Sequence, residues 1–174
     1  LSVRQNRIAA VSLEPRACLA EWDGQRLHFA YNGQGVWGLK AELARILGLP
    51  PQSVHVTTPD VGGGFGMKNF PYPEHFAVAE ASRRTGRPVL WVSDRSEAML
   101  SDNAARDLVS EAQLAFDADH RILAYRVTSR FNLGAYNSNF GQMIQSEISA
   151  RVLTGTYHIP CAHVAARADR KSVV

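Results

Sequence analysis

Residues 60–68 read Asp60-Val61-Gly62-Gly63-Gly64-Phe65-Gly66-Met67-Lys68, four glycines in five positions with one phenylalanine among them. Glycine loses more backbone entropy on folding than any other residue, so such a run belongs where the chain takes φ > 0 or passes very close to something. A strand signal, Val54-His55-Val56-Thr57, precedes it and a helical pattern follows. A glycine-rich turn between strand and helix presents free N–H groups, a good place for an anion or oxyanion. A tight connection without a ligand is the plainer alternative. Two familiar loops fail the test. A P-loop needs Gly-Lys-Ser/Thr, but Met67 separates Gly66 from Lys68 and Asn69 follows. A Gly-x-Gly-x-x-Gly fingerprint meets Met67 or Asn69 where its third glycine belongs.

Around the loop, the pattern is mixed. Arg16–Trp22 and Arg26–Tyr31 read as strands joined by the Asp23-Gly24 turn. Val36, Leu39, Leu43, Ile46 and Leu47 recur at helical spacing, with Gly48 at the cap and Pro50-Pro51 beyond. Glu74–Arg84 reads as a helix opened by Pro73 and stopped at Gly86. The continuous apolar run Val89-Leu90-Trp91-Val92 predicts a buried strand, and Ser93–Ser101 a short helix. Leu108–Phe116 and Ile122–Phe131 predict a pair of long strands, and His163–Arg167 a last weak one. Residues 134–150, with Gly134, Asn137, Asn139 and Gly141, lack a period and read as a loop with some helix. The expected class is α+β, with sheet and helices in two layers.

A chain of 174 residues with 45% apolar and 20% charged residues suits a globular protein with one sizeable core. No apolar run reaches the length of a membrane span, and no signal peptide opens the chain. The net charge of +3 is scattered, with short clusters at Arg83-Arg84 and from Arg167 to Lys171, which argues against nucleic-acid binding. Cys18 and Cys161 form no Cys-x-x-Cys, so a self-contained zinc or iron–sulfur site is excluded and a reduced, cytoplasmic setting fits. The start at Leu1 and the tail from Ala168 to Val174 read as those of a fragment.

A second polar feature is Tyr31-Asn32-Gly33-Gln34-Gly35, where a strand ends and a helix begins. Gln34 offers an amide donor and acceptor there, and by itself would be read as a helix-capping glutamine. With Glu14-Pro15-Arg16, Leu47-Gly48-Leu49-Pro50, Pro59–Lys68, Trp91–Glu97 and Asn132-Leu133-Gly134-Ala135-Tyr136, these residues resemble, in the same order, the large molybdopterin-binding subunit of the xanthine dehydrogenase and aldehyde oxidase family. Gly66-Met67-Lys68-Asn69-Phe70-Pro71-Tyr72-Pro73-Glu74 is similar to the aerobic carbon monoxide dehydrogenase-like branch. The resemblance covers residues 1–167 and leaves 168–174 as an unmatched tail.

The resemblance implies molybdenum carried on a dithiolene pterin, as the cytosine dinucleotide, with no protein ligand to the metal. It implies that Gln34 hydrogen-bonds an apical oxo ligand of the metal, and that Phe65 and Gly66 stand beside it. These three are the expected catalytic residues. Gly35, Gly62, Gly63 and Gly64 join them in holding the cofactor. The implied chemistry is oxidative hydroxylation of an aldehyde, an N-heterocycle or a CO-like small molecule with oxygen from water. Electrons would leave through an iron–sulfur small subunit and an FAD-binding medium subunit, in a dimer of heterotrimers. Asn69 stands where purine-oxidising members carry glutamate, which disfavours purine oxidation; its plainer role is a helix N-cap. The family's catalytic glutamate, and the loop that carries the active-site cysteine in true carbon monoxide dehydrogenases, fall beyond Val174, so the chain alone is expected not to turn over. A non-enzymatic anion- or nucleotide-binding module using the same loop is the alternative from a different class, and a degenerate, purely structural domain is a third. His75 and His158 are expected to be structural or solvated, Lys68 exposed, Asp94, Arg95 and Glu97 a helix cap with an ion pair, and Arg106 and Asp107 likewise structural.

Overall fold

The computed structural model describes residues 1–134, 136, 138 and 140–169. Its elements begin with β1 (Ser2–Ile8), β2 (Ala17–Trp22), β3 (Leu27–Tyr31), α1 (Trp37–Leu47), β4 (Val54–Thr57) and α2 (Pro73–Thr85). They continue with β5 (Val89–Val92), α3 (Arg95–Ser101), β6 (Ala105–Phe116) and β7 (Ile122–Asn132). Helix α4 (Gly141–Met143), a π-helical stretch (Ile144–Ile148) and α5 (Ser149–Arg151) precede β8 (Cys161–Asp169). The fold is α+β, in two units: Ala9–Asn103, and Leu1–Ile8 with the residues from Ala104 onward.

The Ala9–Asn103 unit is a four-stranded mixed sheet in the order β4-β3-β2-β5 with helices packed on it. Asp23 Oδ1 accepts the N–H groups of Gln25 and Arg26 at 2.9 and 2.7 Å, closing the β2–β3 hairpin. The chain then crosses through α1 to lay β4 parallel to β3. Both helices end as their glycines dictate. Gly48 and Gly86 sit at φ 63° and 61°, with their N–H groups bonded to Ala44 O and Ser82 O. In α2 the buried positions are His75, Val78, Ala79 and Ser82, one face at i, i+3, i+4 and i+7. They meet a core of Ala20, Leu27, Phe29, Leu39, Leu43 and Val54.

Arg16, only 2% exposed, links the elements. Its Nε donates to Asp102 at 2.6 Å, its Nη atoms reach Glu74 at 3.3 and 3.4 Å, and its guanidinium stacks 3.6 Å from the Tyr72 ring centroid. Beneath it, neutral His75 Nδ1 accepts the Tyr72 N–H at 3.2 Å.

The other unit holds the sheet β1-β6-β7-β8, with β7 and β8 parallel. Two readings are corrected here and a third is refined. β1 is a strand that sequence reading did not assign, because Ser2–Ile8 carries no apolar alternation and is exposed throughout. Val89–Val92 is an edge strand rather than a buried one, with Leu90 66% and Val92 58% exposed, since only one of its faces is packed. The helix expected somewhere in 134–150 runs over 141–151, and its π-helical stretch spoils the 3.6-residue period by which a helix is located. Ala135, Asn137, Asn139 and 170–174 lie outside the described residues, so the last five tail residues do too. Both cysteines are free, and burial raises the Cys18 thiol to about 12. No helix among the described residues is long and apolar enough to cross a membrane.

His75 makes the Ala9–Asn103 unit acid-sensitive. Burial, then the Arg16 cation, lower its pKa to about 4. In the unfolded chain it titrates near ~6.5, so between these values the unfolded state alone binds the proton. Stability is therefore complete above that window and falls as pH drops through it, by on the order of 3 kcal/mol. Urea unfolding followed across the window should show this slope, and His75→Gln should flatten it.

Candidate functional site

Gln34 and the glycine loop, 32 residues apart, meet directly: the Gly66 N–H donates to Gln34 Oε1 at 2.8 Å. The Gln34 N–H in turn donates to Lys68 O at 3.2 Å. Gln34 is not the helix cap its position suggests, because α1 starts at Trp37 and its N-cap, Val36, bonds through no side chain. The connection is pinned on both sides, by Tyr31 Oη donating to Gly35 O and by Thr58 Oγ1 donating to Gly33 O at 3.1 Å.

Of the two ends of the Gln34 amide only the oxygen accepts an N–H, so the Gly66 bond fixes the amide's orientation. Among the described residues its NH2 group meets no acceptor and is left as a free donor. Gly64 lets this happen. A Cβ there would fall 2.5 Å from Gln34 Cδ and displace the side chain. Gly35 and Gly66 sit at φ 93° and 81°, and a Cβ on either would meet no atom within 4 Å. Phe65 takes φ 50° without being glycine, with its residue 73% exposed. Left-handed backbone at such a residue costs on the order of 1–3 kcal/mol. Among the described residues the N–H groups of Gly63, Gly64 and Phe65 meet no acceptor. This is a row of open backbone donors beside an exposed ring, an arrangement able to receive an anion.

The loop is anchored at its start. Glu14 Oε2 accepts the Gly62 N–H at 2.7 Å and Glu14 N donates to Gly62 O at 3.2 Å, so the Gly62 N–H is not free for a ligand. Lys68, expected exposed, is buried, and its Nζ donates to the same Oε2 at 3.0 Å. Burial raises the Glu14 carboxyl, but the Lys68 and Gly62 hydrogen bonds outweigh it and hold the group below the ordinary carboxylate range. The Glu14–Lys68 contact spans 54 residues, which no local spacing signals.

The remaining candidates other than Asn69 are structural. Asn69 is exposed and ends a 3-10 turn, Met67–Asn69, while the N-cap of α2 is Tyr72; the N-cap expected at Asn69 is therefore displaced, because Pro73 starts the helix. Asp94 caps α3 by accepting the Glu97 N–H at 2.7 Å. Arg95 forms no ion pair with Asp94 or Glu97; it donates instead to the carbonyls of Ser12 and Leu13, both at 2.7 Å. Asp107 accepts from Arg7 at 3.4 Å and Asn132 at 2.8 Å; both Asp107 and Arg106 sit at positive φ. His75 is structural and His158 exposed. Among the described residues, no group of three or more His, Cys, Asp or Glu side chains is placed to hold a metal ion.

A family model described as a molybdopterin cofactor-binding domain matches residues 1–170. The gamma subunit of the 6-hydroxypseudooxynicotine dehydrogenase complex of Paenarthrobacter nicotinovorans is 35% identical over 156 residues, covering 89% of this chain and 20% of that protein. The carbon monoxide dehydrogenase large chain of Afipia carboxidovorans is 32% identical over 162 residues, covering 92% and 20%. Quinoline 2-oxidoreductase of Pseudomonas putida 86 superposes with a TM-score of 0.87 at 33% identity, covering 100% of this chain and 23% of that one. The chain thus spans about a fifth of the length of the curated relatives it matches.

The glycines make separable predictions. A Cβ on Gly62 would fall 2.5 Å from Glu14 Cβ, an atom too near the backbone to swing aside. Gly62→Ala should cost about 1–3 kcal/mol in denaturant unfolding. Gly64→Ala meets only the mobile end of Gln34, so it should leave stability nearly unchanged and show, in a crystal structure, Gln34 turned away from Gly66.

Proposed function

The chain belongs to the molybdopterin cofactor-binding domain family, and from that premise we propose that it forms part of the catalytic subunit of a molybdenum hydroxylase. The observation that carries the reading is the Gly66–Gln34 bond at 2.8 Å, set beside open backbone donors. Those donors and the Cβ-free approach at Gly35 and Gly66 fit an anionic pterin that brings its metal with it. When bound, the cofactor, as its cytosine dinucleotide, supplies the oxidative hydroxylation of a small aldehyde, N-heterocycle or CO-like substrate with oxygen from water.

The chain's own residues bind and orient. Gln34, its amide fixed by Gly66, donates its NH2 toward the metal centre without ligating the metal. Gly63, Gly64 and Phe65 offer N–H groups to the cofactor, and Gly62, held by Glu14, starts the cradle. Gly35 and Gly66 let backbone approach closely, and the exposed Phe65 ring would stand beside the bound cofactor. Asn69, without a carboxylate, disfavours purines. The whole protein is proposed to be cytoplasmic and to pass electrons to an iron–sulfur subunit and an FAD-binding subunit in a dimer of heterotrimers.

Metal analysis of the full-length protein is the test, with about one molybdenum per chain expected. Its absence, together with tight binding of a nucleotide or other anion, would favour the anion-binding module. In the loaded enzyme, Gln34→Ala should lower turnover about 10–100-fold. Unchanged turnover at unchanged molybdenum content would remove Gln34 from the site and favour a structural domain.

A further inference from the structure

The Glu14-Pro15-Arg16 motif has no part in the cradle itself, yet it bonds to the loop that forms it. Resting on the molybdopterin reading, we infer that Glu14 and Lys68 are positioning residues, a half-buried ion-pair latch that holds the glycine loop in register with Gln34. The connections close on themselves. Glu14 grips both the N–H and the C=O of Gly62, at 2.7 and 3.2 Å. Its Oε2 also takes the Lys68 ammonium at 3.0 Å. The Lys68 N–H donates to Gly64 O and the Lys68 C=O accepts from Gln34 N, each at 3.2 Å. Gln34 Oε1 then holds Gly66 N. One lysine therefore fixes the loop start through its side chain and the Gln34 backbone through its main chain.

The asymmetry of burial gives the latch its strength. The Lys68 side chain is 1% exposed and the Glu14 side chain 40%. A buried ammonium without an acceptor is far more costly than a carboxylate that reaches water, so the lysine is compelled to Glu14. A loop with four glycines has little stiffness of its own, and this charge supplies what the missing side chains do not. Lysine at 68 thus acts from beneath the loop rather than on the cofactor, and it is not a catalytic residue.

The test uses the full-length subunit and two readouts, amide exchange and molybdenum per chain. Lys68→Met keeps the buried stem, removes the charge and leaves Glu14 to solvent. It should speed exchange at Gly66, whose own partner is Gln34, by about tenfold or more. Protection in β3 and α2 should stay as in wild type, and molybdenum per chain should fall several-fold. Lys68→Arg, which can still reach Glu14, should restore most of both. Unchanged Gly66 exchange in Lys68→Met, or faster exchange with full molybdenum, overturns the latch. If Lys68→Met instead loses β3 and α2 protection, Glu14→Gln decides. This variant keeps an acceptor for both partners but halves the charge pair, and selective loosening of Gly66 supports the latch while general loosening overturns it. Wild-type protein devoid of molybdenum would fail differently, removing the cofactor reading itself and the positioning role with it.

Discussion

The buried guanidinium of Arg16 is the interaction on which the Ala9–Asn103 unit depends. It draws together α2 through Glu74, the end of α3 through Asp102, and the Tyr72 ring. A cation this deep persists only while both acids answer it, and deleting one side of such a pair leaves an uncompensated charge. Two residues earlier, Glu14 answers a second buried cation, Lys68. A single tripeptide therefore supplies the cation of one ion-pair cluster and the carboxylate of another, each built around a buried positive charge. Pro15, with its φ fixed, separates the two.

Tyr72 joins these two systems. Its hydroxyl donates to Met67 O at 3.0 Å, within the 3-10 turn that ends the glycine loop, and accepts the Asn103 N–H at 3.0 Å. Its ring lies against Arg16 and its backbone N–H against His75. The cradle is thus soft in its own residues and stiff in what lies under it. Such a division suits a site whose backbone must come close to a ligand without side chains in the way.

Much of this was legible in the sequence. The Asp23-Gly24 hairpin, the caps at Gly48 and Gly86 and the strand Val54–Thr57 are where local rules place them, because turns and caps are decided by residues within four of one another. The loop and Gln34 were visible as separate peculiarities, and the family resemblance joined them. Lys68 was misread because its acceptor lies 54 residues away, and an isolated lysine is usually exposed. Ser2–Ile8 was missed because its pairing with β6 is set by the partner strand rather than by its own pattern.

The outer face of β2 and β5 has a practical consequence. Leu19 stands directly opposite Leu90, and Ala17 opposite Val92, so where the two strands pair the side turned away from the core is apolar, with Glu21 following it along β2. β5 is also a sheet edge, offering unpaired backbone groups next to that greasy surface. Edge and grease together are the combination through which strands recruit strands from other molecules. Along that edge, Leu90 and Val92 are where an added strand would find both free backbone partners and apolar cover.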